Sequence, residues 1–320
     1  MPSRRRLLRN AAALTLGGLV ASAPATAQSP DSPSEYPRYD AGAVADTETV
    51  VAATCDPAVV SETPLPAAVR NRLAALRRRY DAFALSDIQR LTGSVGANDT
   101  AVEGCVTLAG AFDADAADAE LRADDTLRRH PDEGGLRRFD APNVSVSLAF
   151  DDQLLRVGYA PDPGRATDHL EAAISGSESS TDDTHGALPA LLDGDAAVYA
   201  RLGDRERQRA IDALGDKAPD ELGAVLSRAK AVGLSLYADP GQSRIRYGAV
   251  GARLGIDTVR RLAADARQRE DALSDVRLYR QGRTIVADAA VETAAAWNAH
   301  TRLLGRETDA EAHGLTMAGE

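Results

Sequence analysis

Apolar residues recur along this chain with two periods, one typical of helices and the other of strands. Between Pro66 and Phe83 they return at steps of three and four residues, which predicts an amphipathic helix with proline in its first turn. Between Val144 and Phe150 they alternate with polar residues, which predicts a strand. Asp151-Asp152-Gln153 then predicts a turn into a second strand, 154–159.

The remainder of the chain alternates between the same two kinds of element. Further strands or hairpins are predicted at 49–53, 102–112, 196–201, 232–249 and 276–291. Further helices are predicted at 113–122, 166–174, 205–214, 219–231, after Asp257 and at about 292–304. This order of elements predicts the α+β class.

Two of the predicted hairpins, 144–160 and 232–249, align with each other by eye. Upstream of each, at a similar spacing, a strand stops at an aspartate before a helix, namely 106–113 and 198–204. The repeated order predicts two similar β-α-β-β-α modules with mostly antiparallel sheets and helices on one face. Because alanine and aspartate are abundant throughout, a chance match of this length stays open.

Composition shifts divide the chain further. A first α+β module with an N-terminal helix is predicted at 48–174 and a second module at 188–305. Between them, residues 175–187 form a low-complexity linker rich in serine, threonine and aspartate. Residues 306–320 are predicted to be a flexible tail. Residues 28–47, rich in serine, proline and acidic residues, are predicted to be a disordered tether.

The first 27 residues have the pattern of a signal peptide. Arg4 and Arg5 lie in Ser3-Arg4-Arg5-Arg6-Leu7-Leu8-Arg9, a short apolar run follows, and Ala25-Thr26-Ala27 suits cleavage. Arg4 and Arg5 resemble the motif read by the twin-arginine translocase, which predicts that this translocase is a partner during export. The alternative is a basic amphipathic helix of the fold, which Gly17-Gly18 and Pro24 would weaken.

The charge balance changes what partners are expected. Without the four arginines of residues 1–27, the chain carries 33 basic against 48 acidic residues, a net charge of −15. Such a surface disfavours nucleic acid and anionic membranes. Lys217 and Lys230 are the only lysines. This acidic, arginine-rich composition indicates adaptation to high salt, and the alternative is a GC-rich genome.

No second apolar run reaches the ~20 residues of a membrane span, so no transmembrane helix is expected in the mature chain. Whether the leader is cleaved or kept as an anchor stays open.

No familiar catalytic, cofactor or metal motif appears, so no catalytic, cofactor-binding or metal residue is predicted. The acidic run Asp113–Asp118 is interpreted as helix capping instead of a calcium loop. Cys55 and Cys105 form either a disulfide, as export permits, or two buried thiols. Asn98 and Asn143 lie in N-glycosylation acceptor triplets.

The leader, the acidic tether and the predicted duplication together resemble exported haloarchaeal proteins with a twin-arginine leader and a duplicated α+β body. That resemblance implies a location outside the cell or at its surface, and it implies no activity. The expected role is non-catalytic binding or cell-envelope association. The alternative is a hydrolase that uses dispersed carboxylates, for which a deep pocket with two carboxylates of raised pKa would be the sign.

Overall fold

The computed structural model describes residues 39–57, 85–97, 101–176, 185–214, 218–239, 241–251 and 254–304. Twelve strands lie in these ranges: β1 (Thr49–Cys55), β2 (Ile88–Ala97), β3 (Val102–Gly110), β4 (Arg128–Glu133), β5 (Leu136–Ala141), β6 (Val146–Phe150), β7 (Leu154–Tyr159), β8 (Ala196–Arg201), β9 (Ala231–Ala238), β10 (Gln242–Val250), β11 (Leu273–Gln281) and β12 (Thr284–Glu292). They form one sheet in the order β11-β12-β10-β9-β8-β1-β2-β3-β7-β6-β5-β4.

Every neighbouring pair of these strands is antiparallel. The helices of the described residues are α1 (Ala41–Ala45), α2 (Ala114–Ala123), α3 (Pro163–Ser175), α4 (Leu188–Leu191), α5 (Asp204–Asp212), α6 (Asp220–Arg228), α7 (Ile256–Arg269) and α8 (Ala296–Leu303). The α+β class with a largely antiparallel sheet is therefore confirmed.

The helices pack on both faces of this sheet. We call the face that carries Ser94 the front and the face that carries Leu91 the back; side chains of successive strand residues alternate between them. On the front, the backbone NH of Ala41 in α1 donates to the Ser94 hydroxyl, and Leu170 of α3 packs on Ala149. On the back, Leu121 of α2 packs on phenylalanines of β5 and β6. The prediction of helices on one face is wrong, because both pleats are rich enough in apolar residues to need cover.

On the front of the first half, α3 lies close against the sheet. Asp162 caps this helix by accepting from the Gly164 NH, and Pro163 occupies its first position. A side chain at Gly158 of β7 would put its Cβ 2.3 Å from the carbonyl oxygen of Ala166. Glycine is therefore required for the helix to approach the strand this closely.

In the second half, helices again lie on both faces. On the front, Leu188 of α4 and Leu192, just after it, sit over Gly248, where an added Cβ would lie 2.6 Å from the Leu188 Cδ2 atom. On the back, α6, α7 and α8 cover apolar residues of β9, β10 and β12, among them Leu234, Ile285 and Val291. The core is thus two layers, one on each side of a continuous sheet.

Both aligned hairpins exist: β6–β7 and β9–β10 pair as predicted, and β11–β12 forms the third predicted hairpin. They join the sheet differently, however. The second strand of the first hairpin, β7, pairs with β3, whereas the first strand of the other, β9, pairs with β8. The following helices, α3 and α7, also pack on opposite faces. The duplication is therefore not confirmed.

Residues 39–47 correct part of the predicted tether. Tyr39 is 4% exposed, and α1 begins at once, with the Asp40 side chain accepting from the Gly42 NH. These residues order because a tyrosine and a capped helical turn bury against β2, although the surrounding composition is polar. The predicted linker 175–187 also ends early, since His185 is already 1% exposed. The predicted helix 66–83, the signal peptide and the tail lie outside the described residues.

Candidate functional site

A half-open cavity of about 390 Å³ lies at the β4–β5 end of the front face, beside α3. The residues that carry its polar chemistry are His130, Asp132, Glu133, Arg138, Asp140 and Thr167. Its volume falls within the range of small-molecule sites. The strands that hold it, β4 and β5, were not predicted from the sequence.

The carboxylates of this cavity lie close to basic side chains. Nε2 of His130 lies 2.7 Å from Oδ2 of Asp140, and a guanidinium nitrogen of Arg138 lies 3.2 Å from Glu133. Arg138 also pairs with Glu171 of α3. Each of these carboxylates therefore has a basic partner within the cavity.

Among the described carboxyl groups, Asp195, just before β8, has a pKa that burial raises. Its Oδ2 accepts from the Ala238 NH at 2.9 Å, and Asp56 lies near enough to raise its pKa further. It does not line the cavity. The arrangement expected of the alternative, two such carboxyls in one deep pocket, is not found among the residues that the structure describes.

The front face of the second half carries a different cluster. Eight side chains of alternating charge and aromatic character lie there on β9, β10, β12, β11 and the loop after α4, and we call them the Tyr–Arg–Asp face. They are Asp193, Tyr237, Arg244, Arg246, Asp275, Arg277, Tyr279 and Asp288. Register places Tyr237 opposite Arg244 and puts Asp288 between Arg246 and Arg277.

Arg246 is the centre of this face. Its guanidinium carbon lies 4.6 Å from the ring centroid of Tyr237, which is cation–π geometry. One of its nitrogens lies 3.1 Å from Oδ1 of Asp193, and its Nε lies 3.5 Å from Oδ2 of Asp288. Burial raises the pKa of Tyr237, which keeps its hydroxyl protonated.

A second set of ion pairs continues from Arg246 towards the edge strand β11. Nε of Arg244 donates to Asp288 at 3.0 Å, and another of its nitrogens donates to Asp275 at 3.3 Å. Arg277 lies 2.9 Å from the same Asp275. Hydrogen bonds from Arg277 and then Arg244 lower the pKa of Asp275. The result is a ladder of fork-shaped donors and carboxylate acceptors, which suits recognition of polar groups.

A third polar cluster lies on the front of the first half, where Glu103 and His169 are buried and the Arg165 side chain is 41% exposed. Arg165 holds Glu103 with two hydrogen bonds, of 2.7 and 2.8 Å. The Tyr39 hydroxyl lies 2.9 Å from Nδ1 of His169, which is fully buried. Arg165 also donates to the Val44 carbonyl oxygen. With the contact of Tyr39 to His169, the cluster therefore joins the N-terminal segment to α3 and, through Glu103, to the sheet.

The two cysteines are free and buried. Cys55 pairs with Leu91 and Cys105 with Ser94, and these two positions of β2 are three residues apart. The sulfurs therefore project from opposite faces of the sheet, which rules out a disulfide between them in this fold. Burial raises the pKa of each thiol to about 12, so both stay protonated and act as small apolar side chains.

Of the other predicted positions, Arg4, Arg5 and Asn98 lie outside the described residues. Asn143 is exposed in the turn before β6. Ser145, the third residue of its triplet, is 9% exposed, has φ 54° and donates to the Pro161 carbonyl oxygen. In the folded protein, the hydroxyl of the serine in this triplet is therefore already hydrogen-bonded.

Asp113 confirms the helix-capping interpretation of the acidic run, because its side chain accepts from the Ala116 NH. The described residues contain no group of three or more ligands placed for a metal ion. Within the same ranges, no helix is long and apolar enough to cross a bilayer.

Sequence reasoning missed the Tyr–Arg–Asp face. The signal was present in β10, where Arg244-Ile245-Arg246-Tyr247 alternates arginine with apolar residues, which predicts a polar front and an apolar back. What the sequence lacks is the pairing of β10 with β12, which brings Asp288 beside both arginines.

No protein family model and no curated protein matches this chain. Among solved structures, crystal form III of TP0453 is similar with a TM-score of 0.46 at 9% sequence identity, over 82% of this chain and 98% of that one. Crystal form I of TP0453 gives 0.47 at 9% identity, over 85% and 98% of the two chains.

Proposed function

We propose that this chain is an exported, salt-adapted protein that binds a component outside the cell or at its surface and has no catalytic activity. The basic leader with Arg4 and Arg5, together with the net charge of −15 that remains without it, supports export and salt adaptation. The twin-arginine translocase is the partner we expect during export.

The observation that carries the binding role is the Tyr–Arg–Asp face. Tyr279 is 38% exposed, and the side chains of Arg244 and Arg246 are 32% and 24% exposed. No helix of the described ranges packs over this patch, because α4 covers only the neighbouring end of β10. Rigid strands hold these groups in fixed positions, as a binding surface requires.

The cavity favours the second candidate, a hydrolase, in which His130 oriented by Asp140 would act as the base. The first candidate is supported by the position of Asp195, the described carboxyl group whose pKa is raised, outside this cavity. The test is an assay of the wild-type protein with a panel of ester, glycoside and peptide substrates. Hydrolysis of any of them that is lost in the variant His130→Gln would favour the enzyme instead.

The binding role is tested by co-sedimentation of the purified protein with native cell envelopes in molar salt. We expect the wild type to sediment with the envelopes and the Arg246→Gln/Tyr279→Ala double variant to remain in solution. Arg280→Gln is the matched control, because this exposed arginine lies next to Tyr279 in β11 but on the back face. Equal sedimentation of all three proteins would contradict a role for this face.

Export and salt adaptation have their own tests. Replacing Arg4 and Arg5 with lysine should leave the precursor in the cytoplasm, since the guanidinium groups are expected to be read specifically. The melting temperature should fall as salt is lowered from about 1 M to about 0.01 M, where the Debye length grows from roughly 3 to roughly 30 Å. A melting temperature that does not change would favour the GC-rich genome as the source of the composition.

A further inference from the structure

We propose that the Tyr–Arg–Asp face binds a neutral, hydroxyl-rich oligosaccharide. This inference rests on the proposed binding role of that face and adds the chemical class of the ligand. Three properties of the face carry it: its balanced charge, its small area and the spacing of its two tyrosines.

The positive and negative charges of the Tyr–Arg–Asp face are equal in number. The guanidinium groups of Arg244, Arg246 and Arg277 are matched by three carboxylates, those of Asp193, Asp275 and Asp288. A polyanion or a polycation would gain no net attraction there and would have to break these pairs to bind. A neutral ligand can hydrogen-bond to the outer edges of the same pairs and leave them intact.

The area of the face argues against a protein partner. Four strands at a spacing of about 4.8 Å are about 19 Å wide, and five residues of a strand are about 17 Å long, so the face covers roughly 300 Å². A stable protein interface buries about 800 Å² on each partner. An oligosaccharide of a few rings fits the smaller area.

The aromatic and polar groups match the two sides of a sugar ring. The C–H faces of a pyranose pack on aromatic rings, while its hydroxyls accept from guanidinium groups and donate to carboxylates. Tyr237 on β9 and Tyr279 on β11 lie three strand spacings apart across the sheet and four residues apart along it, so roughly 20 Å separates the two positions. A ligand that contacts both tyrosines is therefore an extended oligomer and not a single ring.

The experiment is isothermal titration of the protein in 2 M NaCl with hexasaccharides of glucose, mannose and N-acetylglucosamine, and with polygalacturonate as the anionic probe. We expect at least one neutral hexasaccharide to bind, and we expect Arg246→Gln and Tyr279→Ala each to weaken it at least tenfold. Tyr279→Phe, which keeps the ring, and Arg280→Gln, on the back face, should stay within about twofold of the wild type.

Circular dichroism of each variant confirms that it folds, and Tyr279→Phe supplies an informative result even where Tyr279→Ala does not fold. The inference would be overturned if no neutral hexasaccharide binds, or if polygalacturonate is the only probe that binds. It would also be overturned if all variants bind the neutral hexasaccharide as tightly as the wild type. If the face variants lose envelope association while no neutral hexasaccharide binds, the proposed function survives and only the ligand class is wrong.

Discussion

The front face of the sheet carries two polar clusters built from the same kinds of residue, one in each half. In the first half, Glu103 lies beneath Tyr39 and α3, the helix that carries Arg165 and His169, and the Glu103 side chain is only 4% exposed. In the second half, no helix of the described ranges lies over the Tyr–Arg–Asp face, and its side chains range from 11% exposed at Asp288 to 68% exposed at Arg277. The comparison shows how the packing of a helix over one cluster separates it from a cluster that strands alone hold.

Under its helices, the first cluster has little freedom. The Tyr39 hydroxyl has one proton and two acceptors in reach, Nδ1 of His169 at 2.9 Å and the Ser94 carbonyl oxygen at 3.4 Å. When the nearer acceptor takes the proton, the Nε2–H of His169 faces Glu103, whose Oε2 lies 3.5 Å away. That arrangement gives the carboxylate a positive edge on both sides, since Arg165 holds its other side. In a low-dielectric site each of these partners is needed, because a lost partner leaves an unpaired charge.

On the open face, water competes for the same contacts. Ion pairs between exposed side chains are worth about 0–1 kcal/mol, so their loss costs little stability. They can exchange hydrogen bonds with a ligand at a correspondingly small cost. The difference in cover therefore predicts a difference in what mutation and pH do to the two regions.

The largest expected effect is acid destabilisation through the covered histidines. Burial lowers the pKa of His185 to about 4 from an ordinary value of 6.5, and burial also lowers that of His169. Because the unfolded chain binds the proton first, stability is full above pH 6.5 and is lost as pH falls towards 4. His185 alone should contribute about 3 kcal/mol of this loss.

Urea unfolding between pH 7 and pH 4 measures this loss. The variant His185→Gln keeps a polar side chain that does not titrate, and it should flatten the pH dependence relative to the wild type. Identical slopes for the two proteins would show that His185 does not carry the effect.

The next largest effect should come from breaking the buried pair. Arg165→Met leaves the Glu103 carboxylate buried without its cation, and we expect a loss of about 3 kcal/mol in the free energy of unfolding. On the open face, Arg277→Gln removes a side chain that is 68% exposed, and it should cost less than about 1 kcal/mol. Both values come from urea unfolding in molar salt, and equal losses would mean that cover does not distinguish the clusters.

The smallest expected difference is between two glycine variants, which test how closely a helix packs on the sheet in each half. Gly158→Ala places a methyl group against the backbone of α3, which cannot yield locally, so about 2 kcal/mol should be lost. Gly248→Ala meets only the ends of leucine side chains, which can turn away, and about 1 kcal/mol or less should be lost. Thermal unfolding compares the two variants, and a larger loss for Gly248→Ala would reverse the expected order.

Much of the local structure was predictable because it depends on neighbours along the chain. The hairpins at 144–160, 232–249 and 276–291 follow from alternation and turn residues, and the start of α2 follows from the cap at Asp113. By contrast, β4 and β5 were missed, because Arg128–Glu133 is a charged edge strand with a proline and gives no apolar alternation.

The candidate site was less predictable than the fold, because its members meet only across strands. Arg244 and Asp288 are 44 residues apart in the chain and in contact through the β10–β12 pairing. Likewise Tyr39, in a segment of polar composition, becomes buried through a contact with a residue of α3. No local pattern encodes either contact.

By itself the sequence determined the α+β class, most of the strands and the excess of negative charge, since these depend on composition and short-range periodicity. Tertiary structure alone decided which face each strand residue occupies, and with it the separation of Cys55 from Cys105 and the placing of helices on both sides. The physical reason is that a shift of one residue in strand register moves every side chain to the other face. Register is set by how the whole sheet packs, and a single segment of the chain does not contain that information.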